Sequence, residues 1–292
     1  MIQLNLSTKD QFKLFCKNNN IEDMNIAVKY FTIFGGLDIK IDTSKPLLEL
    51  IETHILKKYE ELKREIHTLT GGYSVDHALL SAIALGDRRT NSSFKRAHIS
   101  FEEGMKCVEN LLDRDIIEIE SSSQFLLDRR NDKKIAKKLL FTTPFLRFWF
   151  AFVSPIYKGI KSKDYKEFYK RYENRKDGFE EFIFEELCLE FLDEVYKEDK
   201  LKNIGKYWDE NITINLVAKT SNNKIIAANC KYTNSKLKKK DLNKLIEDCK
   251  DIKLDAQIFI LFSKSGFVNE LKMLKNENLR LFTEKSLKAL IK

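Results

Sequence analysis

Residues 256–262 read AQIFILF, and every one of them but Gln257 is apolar. A run of this length and composition is typical of a strand that is buried on both faces of a sheet. On both sides of this run, the spacing of apolar residues predicts helices over 179–192, 237–249, 267–274 and 286–291. It also predicts four further strands, over 204–208, 212–217, 224–231 and 279–282. The order α-β-β-β-α-β-α-β-α predicts a mixed α/β sheet with helices on its faces, within a chain that is α+β overall.

Length and composition exclude several classes of protein. The chain has 292 residues, 43% of them hydrophobic and 33% charged, which excludes a disordered or low-complexity chain and predicts two or three folded units. No apolar run reaches the ~20 residues of a membrane-spanning helix. The first ten residues lack the basic start and apolar stretch of a secretory signal, so we expect a cytoplasmic protein.

The cysteines and histidines predict no metal site. The five cysteines are scattered without a C-x-x-C pair, and the four histidines form no H-x-x-x-H pair. We therefore expect free thiols in a reducing compartment and no cofactor. Of the histidines, His54 and His67 flank a charged helical stretch and are predicted to face solvent.

The positive charge is concentrated at one end of the chain. Residues 200–292 carry 20 basic and 10 acidic side chains, whereas residues 1–199 carry 32 and 34. Such an asymmetry favours an anionic partner, with nucleic acid the first choice. The alternative is a lysine-rich surface that is only solvated, and composition leaves both open.

The first half of the chain divides at glycines. Helical segments are predicted over 9–34 and from Pro46 onward, and each region ends at a glycine pair, Gly35-Gly36 and Gly71-Gly72. We therefore predict four segments. They are a helical segment over 1–72, a winged helix-turn-helix domain over 73–143, an aromatic and charged helical linker over 144–177, and the sheet domain over 178–292.

The winged helix prediction rests on two helices and two strands. An apolar helical face runs from Val75 to Ile83, a basic loop follows, and the capping box Ser100-x-x-Glu103 opens a second helix. Short strands over 116–119 and 138–142 flank a polar turn. The basic side chains that would contact DNA are Arg88, Arg89, Lys95, Arg96, Lys106, Arg129 and Arg130. Because Glu102 and Glu103 stand at the start of the second helix, packing against protein is the competing interpretation.

Residues 145–153, FLRFWFAFV, are unusually aromatic. Such a stretch can stack single-stranded bases. The alternative, which we favour, is a buried connecting helix.

One catalytic arrangement suits the predicted sheet. A restriction-endonuclease-like core places an acid on one strand and acid-x-Lys on the next, so that two carboxylates hold Mg²⁺ and the lysine assists the attacking water. Here the lysine is Lys231, but both acids are amides, Asn215 and Asn229. Replacement carboxylates are available at Glu185 or Glu186 and at Asp209 or Glu210.

Several strings along the chain resemble one family. They are FLRFWFAFVSP (145–155), FEELC (184–188), IGKYW (204–208), NCKY (229–232), ILFSKSGF (260–267), AIALG (82–86) and IFGG (33–36). The chain resembles the archaeal-type ATPase family, whose C-terminal domain of unknown function is related to PD-(D/E)XK nucleases. The resemblance implies a lid-like helical segment over 1–72, then the winged helix and the nuclease-like domain.

The sequence departs from that family in two ways. No G-x-x-x-x-G-K-[ST] motif occurs, so ATP hydrolysis by this chain alone is not expected. The family pattern places an acid at Asn215 and a glutamate at Asn229, and loss of both charges weakens Mg²⁺ binding.

The sequence therefore predicts a DNA-binding protein whose nuclease-like domain is catalytically degenerate at Lys231, Asn229, Asn215 and Glu186. The predicted phosphate contacts in that domain are Lys236, Lys238, Lys239, Lys240 and Lys244. The alternatives are a Mg²⁺-dependent DNA nuclease with relocated acids, and an interaction module that docks on a separate ATPase or on a second copy of the chain. No membrane partner is expected.

Overall fold

The computed structural model describes residues 1–123, 135–198 and 200–292. The chain forms two compact units. Unit 1 comprises Met1–Glu22, Ile26–Glu120 and Ala136–Phe179, and unit 2 comprises Asp23–Asn25, Ser121–Ile135 and Glu180–Lys292. A helical N-terminal region is followed by a five-stranded mixed sheet with flanking helices, which confirms the predicted fold class.

Unit 1 is mainly helical. Its helices are α1 (Thr8–Asn18), α2 (Met24–Phe34), α3 (Leu47–Ile51), α4 (Tyr59–Thr70), α5 (Ser74–Ala84), α6 (Thr90–Ala97), α7 (Phe101–Asp113), α8 (Pro144–Phe148), α9 (Tyr157–Lys161) and α10 (Lys166–Glu173). Wide π turns extend α3 over Glu52–Leu56 and α8 over Trp149–Val153, and a short 3₁₀ turn, Ser154–Ile156, leads into α9. Two antiparallel strands, β1 (Ile117–Glu120) and β2 (Lys138–Phe141), complete the unit.

The helix that the capping box predicts is present as α7. The Ser100 side chain accepts a hydrogen bond from the Glu103 N–H at 3.2 Å, and Glu103 accepts one from the Ser100 N–H at 3.1 Å. The predicted basic loop before it is correct only for Arg88 and Arg89, because Lys95 and Arg96 lie in helix α6 (Thr90–Ala97). Phe94, 3% exposed, is the one buried large apolar side chain of α6, so the sequence has no apolar periodicity to reveal the helix.

The aromatic stretch after β2 is entirely buried. Phe145, Phe148, Phe150 and Phe152 are each 0% exposed, so none of these rings is available to stack a base. The buried alternative is therefore confirmed.

Arg147 lies within this aromatic cluster and is itself buried. Its Nε donates to the Ala84 carbonyl at 3.2 Å and its Nη1 donates to the Phe179 carbonyl at 3.0 Å. The guanidinium also lies 3.9 Å from the centre of the Phe179 ring. The charge is thus accommodated by carbonyl dipoles and an aromatic face.

Unit 2 is built on one sheet with the strand order β3-β4-β5-β6-β7. The strands are β3 (Lys202–Trp208), β4 (Thr213–Lys219), β5 (Ile225–Lys231), β6 (Ala256–Ser263) and β7 (Leu279–Thr283). The pairs β3–β4 and β4–β5 are antiparallel, whereas β5–β6 and β6–β7 are parallel. The helices are α11 (Lys176–Val195, which begins in unit 1), α12 (Lys239–Asp251) and α13 (Asn269–Met273). The predicted final helix is present as a 3₁₀ helix over Glu284–Ile291.

A helix covers each face of the sheet. On one face, Leu242, Leu245 and Cys249 of α12 pack in a single cluster with Ala227 and Leu261. On the other face, α11 packs its aromatic side chains against the strands: the Phe184 and Tyr232 ring centres are 5.0 Å apart, and those of Phe191 and Phe262 are 5.8 Å apart.

These contacts bury β6 on both sides, since Ile260, Leu261 and Phe262 are all 0% exposed, as the AQIFILF stretch predicts. All five cysteines are buried and free, as expected. His67 is exposed, whereas His54 is half-buried, and burial lowers the pKa of His54. Within the described residues, no helix combines the length and apolarity that crossing a membrane requires.

Replacing Arg147 by methionine tests the buried guanidinium. The substitution leaves two buried carbonyls without their donor, so we expect the free energy of unfolding to fall by roughly 2–4 kcal/mol. Urea denaturation measures the change. Arg175→Met, at an exposed arginine of the same unit, is the matched control and should change stability by no more than about 0.5 kcal/mol. Equal effects of the two substitutions would contradict the assigned contacts.

Candidate functional site

Asn215, predicted to replace a catalytic acid, lies at a bulge in β4. Val217 pairs with Gly205 and Ile214 pairs with Tyr207, so β4 has one residue more than β3 over this interval. The Asn215 side chain makes two hydrogen bonds beside the bulge. Its Oδ1 accepts a hydrogen bond from the Cys230 N–H of β5 at 3.1 Å, and its Nδ2 donates to Glu185 Oε1 of α11 at 2.7 Å. Asn215 thus ties β4 to β5 and to α11.

Asn229 and Lys231 face the other side of the sheet. Along β5 they alternate with Cys230, whose thiol contacts Cys188 of α11, and successive side chains of a strand point to opposite faces. Lys231 accordingly extends toward α12, where its Nζ lies 2.6 Å from Asp241 Oδ1. Asn215 therefore lies next to the segment that carries Asn229 and Lys231, but its side chain donates toward α11 whereas that of Lys231 extends toward α12.

The acids that could replace the missing carboxylates have other partners. Glu186 forms a buried ion pair with Lys206 of β3, whose side chain is 4% exposed. Asp209 accepts hydrogen bonds from the Tyr207 hydroxyl and from the Asn211 and Ile212 N–H groups, at 2.7–2.8 Å, and so holds the turn between β3 and β4. Glu210 is exposed on that turn.

These residues do not fit a Mg²⁺ site. Magnesium is usually bound through one or two free carboxylates, whereas Glu185, Glu186 and Asp209 are engaged as described and Asn215 contributes both polar atoms of its amide to protein contacts. Across the residues that the structure describes, no group of three or more His, Cys, Asp or Glu side chains could hold a metal ion together.

Asp241 neutralises Lys231 and begins α12. Its Oδ2 accepts the Lys238 N–H at 2.8 Å, which caps the helix, while its Oδ1 accepts from Lys231. Burial acts to raise the pKa of Asp241, but the hydrogen bonds from Lys231 and Lys238 outweigh it and lower the pKa overall. Asp241 is therefore ionised at neutral pH and directed inward, away from solvent.

The lysines around the start of α12 point outward. We call Lys236, Lys238, Lys239, Lys240 and Lys244 the α12 basic surface; all five are exposed. Lys239 forms a long, exposed ion pair with Glu270 at 3.8 Å, and Lys244 pairs with Asp248 at 3.3 Å. The Lys239–Glu270 pair is exposed on both sides and is therefore weak and easily exchanged for another anion, whereas Asp248 is half-buried.

Of the residues in unit 1 that are predicted to contact DNA, some are engaged in contacts within the protein and others are exposed. Arg96 is committed to the end of α5, because its Nη1 donates to the Ala82 and Leu85 carbonyls at 2.5 and 2.6 Å. Lys106 pairs with Glu102 at 2.9 Å. Lys95 is exposed, whereas Arg88 and Arg89 are half-buried, the latter beside Lys138 in an isolated bridge. Arg129 and Arg130 lie outside the described residues.

Sequence reasoning missed Asp241 and the exact role of Glu185. Asp241 has a local signal, since an acid three residues into a helix commonly closes a capping box with the residue before the helix. Glu185 has no such signal, because only the bulge in β4 brings Asn215 to it.

Comparison with known protein families matches residues 149–245 to a family described as archaea bacterial proteins of unknown function. Neither the curated proteins nor the solved structures gave a match. The matched segment includes α9 and α10, β3 to β5 and the start of α12.

Substituting Asn215 by aspartate tests its role at the bulge. A second carboxylate would face Glu185 at hydrogen-bond distance. We therefore expect the free energy of unfolding to fall by roughly 2–4 kcal/mol at about pH 7. The loss should shrink at about pH 4, where one of the two carboxyls takes up a proton and can donate to the other. Asn215→Ala is the control, because it lacks both hydrogen bonds at every pH. Urea denaturation at both pH values measures the difference, and a pH-independent loss for Asn215→Asp would contradict the contact.

Asp241→Asn tests the ion pair with Lys231 while keeping an oxygen to cap α12. Because the pKa of Asp241 is lowered in the folded state, the carboxylate stabilises the fold above its unfolded pKa and loses this effect as the pH falls through the folded pKa. We expect the substituted protein to be about 1 kcal/mol less stable at neutral pH, with the difference disappearing on acidification. Thermal or urea unfolding along a pH series tests this. A difference that grows toward low pH would contradict the assignment.

Proposed function

We propose that unit 2 binds the phosphate backbone of DNA through the α12 basic surface and does not cut the DNA. One observation carries the proposal. Residues 231–244 contain six lysines and a single acid, Asp241, and that acid faces inward to Lys231 while the other five lysines are exposed. The outward charge of this segment is therefore entirely positive.

The position of the surface supports the same conclusion. Strands β5 and β6 are parallel, and α12 follows β5 directly, so their carboxyl ends and the start of the helix share one edge of the sheet. Ligands of open sheets with parallel strands bind outside the carboxyl ends, and the start of a helix favours negative charge.

Lysine contacts to phosphates predict the character of the binding. A lysine ammonium is a compact charge on a flexible stem, which suits phosphate contacts better than the planar recognition of a base edge. We therefore expect binding that is weak, salt-dependent and independent of sequence.

Binding without cutting follows from the carboxylates already described. The order of one helix, three strands, a helix and a further strand supports a relation to PD-(D/E)XK nucleases, as the resemblance implies. Glu186 and Asp209 nonetheless have structural partners, and the two amides that replace the acids lie on different faces of the sheet.

The predicted winged helix within unit 1 is proposed to have a different role. Helices α5 to α7 followed by β1 and β2 support the predicted winged helix, but Glu102 and Glu103 at the start of α7 would repel phosphates. Beside them Phe101 is 64% exposed. An exposed aromatic ring flanked by carboxylates suits a protein partner, such as the separate ATPase or second copy of the chain that the sequence suggests.

The triple substitution Lys236→Gln, Lys238→Gln, Lys240→Gln tests the proposal. If each lysine neutralises one phosphate, the slope of log K against log salt should become shallower by about 2.7 for duplex DNA. Fluorescence anisotropy of a labelled duplex over a series of NaCl concentrations measures the slope. The triple Lys13→Gln, Lys17→Gln, Lys40→Gln changes the net charge equally at exposed positions of unit 1 and is the matched control.

Two results would overturn this function. One is that the slope of log K against log salt is equal for the wild-type protein and for the variant with the triple substitution in the α12 basic surface. The other is cutting of linear or supercoiled DNA that requires Mg²⁺ or Mn²⁺, stops with EDTA and is lost in Lys231→Ala. That second result would favour the nuclease alternative.

A further inference from the structure

A second basic surface lies in unit 1, on the hairpin formed by α9 and α10. The hairpin, residues 157–173, carries six basic and three acidic side chains. The rest of unit 1 carries 21 basic and 19 acidic side chains, so this short hairpin supplies three of the five net positive charges of the unit. A uniformly lysine-rich background would not produce such segregation.

The hairpin is held rigidly. The Asp164 N–H donates to the Gly159 carbonyl at 2.9 Å across the turn, and a Cβ at Gly159 would lie only 2.9 Å from the Asp164 oxygen. On the inner side of α10, Phe168 is 0% exposed and Arg171 Nε donates to the Ala151 carbonyl at 2.8 Å. The basic side chains are therefore carried by a fixed scaffold and not by a loose linker.

The outward lysines repeat at helical spacing. Lys158 and Lys161 are three residues apart on α9, and Lys166 and Lys170 are four residues apart on α10; all four are exposed. Like charges at these spacings repel each other and destabilise a helix. The charge of Lys161 is compensated by an ion pair with Glu60, with Nζ 3.4 Å from the carboxylate oxygen. An anion bound along the hairpin would relieve the repulsion of the remaining lysines.

The apolar side chains of the hairpin decide the class of anion. A helix that lies on a membrane surface inserts a free apolar face. Here Ile160 and Phe168 are buried within unit 1, at 3% and 0% exposed, and Tyr157, at 44%, is the one large apolar side chain of the two helices that is exposed. A rigid basic surface without an apolar face suits the phosphates of a nucleic acid.

We infer that the α9–α10 hairpin, through Lys158, Lys166 and Lys170, is a second contact surface for the DNA backbone, distinct from the α12 basic surface. The inference rests on the proposed function for the identity of the ligand only. Because the two surfaces belong to different units, each contributes its own phosphate contacts to the salt dependence of binding.

The test is the full-length triple Lys158→Gln, Lys166→Gln, Lys170→Gln in the same anisotropy titration. We expect the salt slope to become shallower by about 2.7, with an affinity loss of about tenfold or more at low salt. The Lys13, Lys17, Lys40 triple should leave the slope near that of the wild type. The corresponding Lys→Arg triple on the hairpin keeps the charges and should keep the slope, which separates a charge effect from a folding defect.

The outcomes distinguish this inference from the proposed function. If the hairpin triple behaves like the control triple while the α12 triple loses contacts, the inference is wrong and the proposed function stands. If only the hairpin triple loses contacts, the inference stands and the α12 surface is wrong. If neither slope changes, both are overturned. Loss of binding to phosphatidylserine vesicles in the hairpin triple, with an unchanged DNA slope, would overturn the inference in favour of a membrane partner.

Discussion

The burial of β6 on both faces is the constraint on which unit 2 depends. A strand whose side chains are apolar on both sides is stable only when each face of its sheet is covered. In this protein α11 covers one face through Phe184 and Phe191, and α12 covers the other through Leu242 and Leu245. Because α12 must return across the sheet after β5, its first turn lies at the carboxyl ends of the parallel strands.

Polar side chains then fasten the helices to this sheet. Asn215 and the Lys206–Glu186 pair join α11 to the strands, and the Lys231–Asp241 pair joins α12 to β5. A buried ion pair recovers little net energy after desolvation, but leaving either partner alone is costly. Residues that suggest catalysis when the sequence is read alone are thereby used to fix the positions of two helices.

The same arrangement buries the acidic side chain at the start of α12 and leaves the lysines exposed. The single acid among the lysines at the start of α12 is drawn inward by Lys231, and the lysines that remain project into solvent. In unit 1 the buried aromatic cluster has a comparable effect, since it anchors α10 through Phe168 and leaves the lysines of the hairpin outside. In both units the packing of the core decides which charges an anionic partner meets.

Local patterns in the sequence determined the class of fold and most of its elements. The AQIFILF run identified a doubly buried strand, and Ser100 with Glu103 identified the start of α7, because both signals lie within a few neighbouring residues. Helix α6 was not predicted, because a single buried apolar residue, Phe94, gives no helical periodicity of apolar residues. The tertiary structure alone decided the roles of the polar residues. Asn215, beside a one-residue bulge in β4, donates to Glu185. Lys231 lies on the opposite face of the sheet because side chains alternate along β5. Arg96 donates to the carbonyls at the end of α5 and is therefore not free for another partner. Each of these outcomes depends on contacts between residues distant in the chain, and no local pattern specifies such contacts.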